Sequence, residues 1–198
     1  MNDLLNEKYE ERDVLLKQIY LVKNDIIELY KDAYLPVTKL IKSSSDIMAD
    51  YKIEFDASLK LNNFESRFFN FINQGSKGSF SGKEEGYKRL INIIDESEFS
   101  DFESCKVFID EILDRLKKDF RDGKKMESRY LSEQLRKGIE PTEFYDYFFG
   151  LDYLDATYQL KLGSKGLSEL SPGERGALLL IFYLLLDKGD TPLIIDQP

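Results

Sequence analysis

The chain has no histidine, no tryptophan and a single cysteine, Cys105, among its 198 residues. Each absence removes a class of chemistry. Without histidine, neither a Ser-His-Asp nor a Cys-His catalytic arrangement can be built within the chain. One cysteine cannot staple a fold, and with no histidine beside it the Cys/His zinc sites are excluded as well. A reducing, cytoplasmic setting is the simplest reading of that cysteine usage. Basic residues are the minority: 28 Lys and Arg stand against 37 Asp and Glu, a formal net charge of −9. That balance does not suit a surface devoted to nucleic acid or to an anionic membrane, although it leaves room for a local basic patch. Long hydrophobic runs are missing too. The longest, Ala177 to Leu186, is too short to span a bilayer. The N-terminus, Met1-Asn2-Asp3-Leu4-Leu5-Asn6-Glu7, lacks the basic start and apolar stretch of a signal peptide.

What is present supports a folded core. The apolar fraction is 42%, and 14 Phe and 12 Tyr supply large buried side chains, so disorder is not the default. The length suits one domain, or one compact domain with an extension. Residues 4–35 carry a helical pattern. Leu15, Ile19, Val22, Ile26, Leu29 and Ala33 follow one another at intervals of 4, 3, 4, 3 and 4, a heptad seam. A second stripe runs through Leu16, Tyr20, Ile27, Tyr30 and Tyr34, so the apolar face is wider than a two-stranded seam needs. Upstream the seam falls on Arg12 and Lys8, and its coiled-coil character weakens. Two readings stand: an amphipathic helix packed on a domain, or the returning arm of a coiled-coil hairpin. Pro36 is expected to kink or end this helix, and Ser43-Ser44-Ser45-Asp46 to cap a following turn.

Residues 51–61 alternate, with Tyr51, Ile53, Phe55, Ala57, Leu59 and Leu61 on one face, which predicts a half-buried strand. Phe64, Phe68, Phe71 and Ile72 predict a short helix, and Tyr87, Leu90, Ile91 and Ile94 another. Between them lies Gly75-Ser76-Lys77-Gly78-Ser79-Phe80-Ser81-Gly82-Lys83. It is not a P-loop: only three residues separate Gly78 from Gly82, and Glu84 stands where the Mg²⁺-binding hydroxyl should be. A flexible surface loop is expected instead. Phe102, Cys105, Ile109, Ile112, Leu116 and Phe120 line one face of a longer helix, which makes Cys105 a small core residue. Residues 117–137 hold eight basic side chains (Lys117, Lys118, Arg121, Lys124, Lys125, Arg129, Arg136, Lys137) against four acidic ones. This stretch is the best candidate for a nucleic-acid-facing patch, beside the plainer reading of a solvated helical face. Tyr158–Leu162 reads as a strand entering a turn at Gly163–Gly166. The expected fold class is α/β and predominantly helical.

The most specific chemistry lies in the last 32 residues, 167–198. Ser171 directly precedes Pro172, which suits the first turn of a helix because proline's missing N–H is not needed there. Gly173 allows close approach of another group to the backbone. The run from Ala177 to Leu186 then makes a helix apolar nearly all round, expected to be buried. Ser and Gly at such a helix start offer a phosphate free N–H groups, a hydroxyl and the positive end of the helix dipole. After Lys188-Gly189-Asp190-Thr191 comes Pro192-Leu193-Ile194-Ile195-Asp196, an apolar strand ending in a carboxylate that could serve a Mg²⁺-bound water. The two elements begin about 20 residues apart.

Together, Leu170-Ser171-Pro172-Gly173-Glu174-Arg175 and Pro192-Leu193-Ile194-Ile195-Asp196-Gln197-Pro198 resemble the signature motif and Walker B strand of an ABC-type ATPase head. The likeness is to the SMC-like branch, and there to a bacterial subgroup found in DNA repair and anti-phage defence. The resemblance implies that nucleotide is sandwiched between two heads. Leu170, Ser171, Pro172, Gly173 and Glu174 would form the ATP-contacting stretch, with Ser171 and Gly173 touching the γ-phosphate held on a partner head. Asp196 would position Mg²⁺. Gln197 stands where the family usually has the glutamate that polarises the attacking water, and it can orient a water but cannot accept its proton.

No Walker A loop, Q-loop or histidine switch is recognisable in the chain. It is therefore expected to be part of a longer head, inactive alone as an ATP hydrolase, whose partners would be a Walker A lobe and a second head in a homodimer. The expected partition is an arm helix over 1–50, a mixed strand and helical subdomain over 51–166, and the truncated signature and Walker B region over 167–198. The alternative is a non-enzymatic coiled-coil interaction module whose signature-like turn is structural.

Overall fold

The computed structural model describes residues 2–43, 53–121, 128–163 and 165–186. In chain order these form α1 (Asn2–Ser43), β1 (Ile53–Leu61), α2 (Phe64–Phe71), α3 (Lys83–Asp95), α4 (Phe102–Lys117), α5 (Leu131–Gln134), α6 (Pro141–Phe149), β2 (Leu154–Leu162), β3 (Lys165–Gly166) and α7 (Pro172–Leu186). The strands make one small sheet in the order β1-β2-β3. The chain is thus helical for the most part, as expected from the sequence. It divides into two compact units, Met1–Ile27 with Ser58–Thr157, and Glu28–Ala57 with Tyr158–Pro198.

The core of the first unit is aromatic. Phe64 and Phe68, one turn apart on α2, are buried together with Phe108 of α4, Phe144 and Phe148 of α6, and Tyr153. The Phe64 ring centroid lies 5.1 Å from that of Phe108 and 4.6 Å from that of Tyr153. Tyr153 is enclosed because its hydroxyl donates to the Phe148 carbonyl at 3.0 Å, which removes the cost of burying a phenol unpaired. The helices around this core start on local signals. The Asp101 carboxylate accepts from the Ser104 N–H at 2.8 Å and so caps α4. Pro141 opens α6, and the Glu140 N–H donates to the Glu143 carboxylate at 3.2 Å. Cys105 is buried on the α4 stripe, where burial pushes its thiol up to about 12 and leaves it inert, a core residue as expected.

The glycine-rich stretch between α2 and α3 differs from expectation. Gly78, Ser79 and Phe80 are buried. The Ser79 hydroxyl donates to the Lys118 carbonyl at 2.6 Å and accepts from the Phe120 N–H at 3.0 Å. The Gln134 amide donates to the Lys77 carbonyl at 2.9 Å, and a Cβ on Gly78 would collide with that same amide. Gly78 therefore serves close packing, not flexibility. Composition alone does not distinguish the two, because glycine meets both needs.

Beside this loop Asp119 is buried and takes two hydrogen bonds from Arg121, Nε to Oδ1 at 2.8 Å and Nη2 to Oδ2 at 2.6 Å. The Arg121 guanidinium holds the carboxyl below its ordinary value of 3.8. A depressed carboxyl adds stability that is complete above the unfolded value and is lost as pH falls through the lower folded value. Asp119→Asn is therefore expected to cost about 1–3 kcal/mol at neutral pH and progressively less below pH 4. Urea midpoints of both proteins across that range measure the convergence.

In α1 the two apolar stripes have different fates. Leu16, Tyr20 and Ile27 are 2–3% exposed, whereas the heptad row stays open: Leu15 59%, Ile19 36%, Val22 63%, Ile26 40% and Leu29 67%. Tyr20 is anchored within the first unit by donating to the Phe99 carbonyl at 3.0 Å, and its ring meets the Phe102 ring edge-on. Where the row turns basic, Arg12 lies over the Phe149 ring at 4.9 Å and the Tyr9 ring at 5.2 Å. Asp13 accepts from Arg12 at 2.6 Å and from Lys106 at 2.8 Å. Pro36 does not end the helix, which continues to Ser43. A proline removes one intrahelical hydrogen bond, and turns formed on both sides hold the register across it. Of the expected cap, Ser44, Ser45 and Asp46 lie outside the described residues.

In the second unit Tyr34 stacks on Phe55 at 4.2 Å and Tyr30 meets Tyr158 at 4.9 Å. The predicted alternation of β1 puts Asp56 on the other face of the strand, where it accepts from Lys161 of β2 at 2.7 Å.

Candidate functional site

The site is built from the strand before α7 and the first turn of that helix. Gly163 adopts φ +62°, a conformation that glycine reaches without a Cβ penalty, and the chain doubles back there. Lys161 then pairs with Gly166 and Leu162 with Lys165 across the β2–β3 ladder. A single 3₁₀ turn, Leu167–Glu169, follows, and the Gly166 N–H donates to the Glu169 carboxylate at 2.8 Å. Leu170 is buried and anchors the segment, while Ser171, Pro172 and Gly173 are exposed.

The cap of α7 is reciprocal. The Glu174 N–H donates to the Ser171 hydroxyl at 3.2 Å, and the Ser171 N–H donates to the Glu174 carboxylate at 2.7 Å. The Lys165 ammonium lies 3.3 Å from the other Glu174 oxygen. The Ser171 N–H, the Ser171 hydroxyl and Lys165 all hold the Glu174 carboxyl below its ordinary value. Two glycines, Gly173 and Gly176, have nothing within 4 Å of where a Cβ would stand. Packing therefore does not require glycine at either position.

This geometry suits binding an anion. Gly173 sits at the second helical position, where the N–H has no intrahelical acceptor. The Ser171 hydroxyl accepts one hydrogen bond, and an anion would compete with the Glu174 carboxylate for its hydrogen. The helix dipole and Lys165 add positive potential, which the Glu174 carboxylate partly offsets. Among the described residues no group of three or more acidic or cysteine side chains stands ready for a metal ion.

The residues expected to contact ATP, Leu170 to Glu174, are thus contiguous on one capped helix start. The strand Pro192–Asp196 and Gln197 lie outside the described residues, and with them the expected Mg²⁺ and water-orienting positions. Asp122–Glu127 of the candidate basic patch lie outside them as well. In the rest of that patch Lys118 pairs with Asp114 at 2.6 Å, Arg121 with Asp119 at 2.6 Å, and the Arg136 guanidinium donates to the Ile72 carbonyl at 3.3 Å. Charges engaged in this way present less free potential to a phosphate backbone. Lys165 was not legible as a site residue, because only the hairpin at Gly163 carries it to the α7 start.

The helix itself departs from one expectation. Leu178 is buried, but Leu179 and Tyr183 are 57% and 49% exposed, so α7 is not covered all round. Compared with family models, curated proteins and solved structures, the chain matches none. Among the described residues no helix is long and apolar enough to cross a membrane.

Proposed function

We propose that this chain is the C-terminal part of an SMC-like ABC-type ATPase head, supplying its α7 start in trans to the γ-phosphate of ATP held on a partner head. The observation that carries the reading is the capped, exposed turn Ser171–Glu174 with an unobstructed Gly173 beside it. A second feature supports it. A helix as apolar as α7 that leaves Leu179 and Tyr183 exposed calls for a further protein layer, and a Walker A lobe would be one. In this reading Asp196 serves Mg²⁺ and Gln197 orients water. The product is ATP-dependent pairing of heads, in a cytoplasmic DNA-repair or anti-phage-defence machine.

Gly173→Ala separates this function from the fold. In free space the methyl group costs nothing sterically, and alanine favours helix over glycine by up to about 1 kcal/mol. The variant is expected to melt at the same temperature or slightly higher. Its ATP-dependent association with a Walker A-bearing half is expected to weaken by about tenfold or more, since the methyl stands where the phosphate must approach. A thermal melt and an association isotherm with and without ATP measure both. Unchanged association would remove the turn from nucleotide contact.

One observation favours a second reading, an interaction module without ATPase activity: the open heptad row of α1. Partner binding that ignores ATP and survives changes at Ser171 and Gly173 would select it.

A further inference from the structure

The first turns of α1 are held in the first unit by charge and by little else. Leu4, Leu5, Tyr9 and Val14 are 62%, 51%, 44% and 57% exposed, and Leu16 is the first apolar residue among the described ones to be buried. Between Asp3 and Leu15 only Arg12 and Asp13 are half-buried. Arg12 lies between two rings, Tyr9 of its own helix and Phe149 of α6. Asp13 accepts from Arg12 and from Lys106 of α4, and Lys106 also pairs with Asp110 at 3.1 Å. Lys8 is engaged with Glu11 on its own helix at 2.7 Å. Open space flanks the segment on both sides. A groove of about 310 Å³ lined by Tyr9, Arg12, Asp110 and Leu113 lies toward α4, and one of about 390 Å³ lined by Lys8, Arg12, Tyr145 and Phe149 lies toward α6. Arg12 lines both.

Two kinds of attachment therefore meet at Leu16. Downstream, burial of Leu16 and Tyr20 is an apolar anchor that screening by salt does not weaken. Upstream, the Asp13 ion pairs join side chains that are 27% and 30% exposed, and such pairs are weakened as salt rises. The cation–ring contacts of Arg12 are electrostatic as well. A helical segment of about a dozen residues is marginal in water once its contacts are gone. We propose that residues 2–15 of α1 form a salt-sensitive strap, clasped to α4 and α6 through Arg12 and Asp13 and hinged at Leu16, whose release joins the two grooves into one open surface bearing Leu113 and Phe149. The strap lies wholly in the first unit and does not involve the Ser171 turn, which belongs to the second.

Amide hydrogen exchange of the full chain, compared at about 0.05 M and about 0.5 M NaCl, tests this. Amides of residues 6–13 are expected to exchange about fivefold faster at the higher salt, while those of residues 18–27 keep their rates. Asp13→Asn and Lys106→Gln are each expected to give the fast exchange already at low salt and to remove most of its salt dependence. Lys106→Arg, which keeps the charge, is expected to behave as the unaltered chain. Lys106 separates a strap from ordinary fraying, because a helix that merely frays from its end does not respond to a charge on α4. Leu113→Cys supplies a second readout, since Cys105 is buried. Maleimide labelling at position 113 is expected to quicken by a similar factor when Asp13→Asn is added. Exchange over residues 6–13 that ignores both salt and Lys106→Gln would overturn the proposal. So would an Asp13→Asn variant in which exchange rises equally through residues 18–27, because the contact would then belong to the global fold. Unchanged labelling at position 113 would overturn the joining of the grooves.

Discussion

Ser171→Arg is expected to reduce the ATP-dependent association of this chain with a Walker A-bearing head to the level seen without ATP, a loss of about a hundredfold or more. Two effects act together. The variant loses the hydroxyl that accepts from the Glu174 N–H, and it places a long side chain across the exposed turn where a phosphate would rest. The fold should survive, because Ser171 is exposed and losing a cap costs about 0.5–2 kcal/mol. Ser171→Ala provides the comparison, since it removes the cap without adding bulk and should retain more association than arginine. Light scattering of the mixed halves with and without ATP checks the result. The chain alone is expected to turn over no ATP above the Ser171→Arg control, because it has no loop of the Gly-x₄-Gly-Lys-Ser/Thr kind to cradle a triphosphate. Turnover above that control would end the proposal in its present form.

Phe64→Ala is expected to have the largest effect on stability. The Phe64 ring is fully buried and packs against Phe68, Phe108, Phe148 and Tyr153. Removing it forfeits burial and leaves a cavity that rings on three helices cannot fill by small movements, at a cost of about 3–5 kcal/mol. Domains of this kind are stable by about 5–15 kcal/mol in total, so much of the margin would go. Phe64→Leu keeps most of the volume and should cost about half as much or less. Urea denaturation followed by circular dichroism distinguishes the two. A loss below about 1 kcal/mol for Phe64→Ala would show that the aromatic cluster is not the core of the first unit.

Elements governed by near neighbours were legible in the sequence. The alternation through Phe55, Ala57, Leu59 and Leu61 is a strand, and the stripe from Phe102 to Leu116 is a helix with buried Cys105, although Phe120, expected on the same stripe, lies beyond the helix end at Lys117. The Ser171-Pro172 helix start is where its residues place it. Each follows from a side-chain period or a cap spanning four residues or fewer, and such signals need no knowledge of what packs on them. The glycine-rich loop was misread because burial of Ser79 depends on Lys118 and Phe120, some forty positions away. Lys165 was missed for a similar reason, since the hairpin at Gly163 brings it to Glu174.

The clearest division lies in α1. Its sequence determined that the segment is a helix and that it carries two adjacent apolar stripes, because a 3.6-residue repeat sorts side chains onto faces whatever surrounds them. Which stripe packs and which stays open was decided only by tertiary structure. Tyr20 found the Phe99 carbonyl and the Phe102 ring, both contributed by a segment about eighty residues later, and so Leu16 and Tyr20 turned inward. The heptad row was left facing out, and nothing in its own spacing distinguishes a seam that is filled from one that awaits a partner.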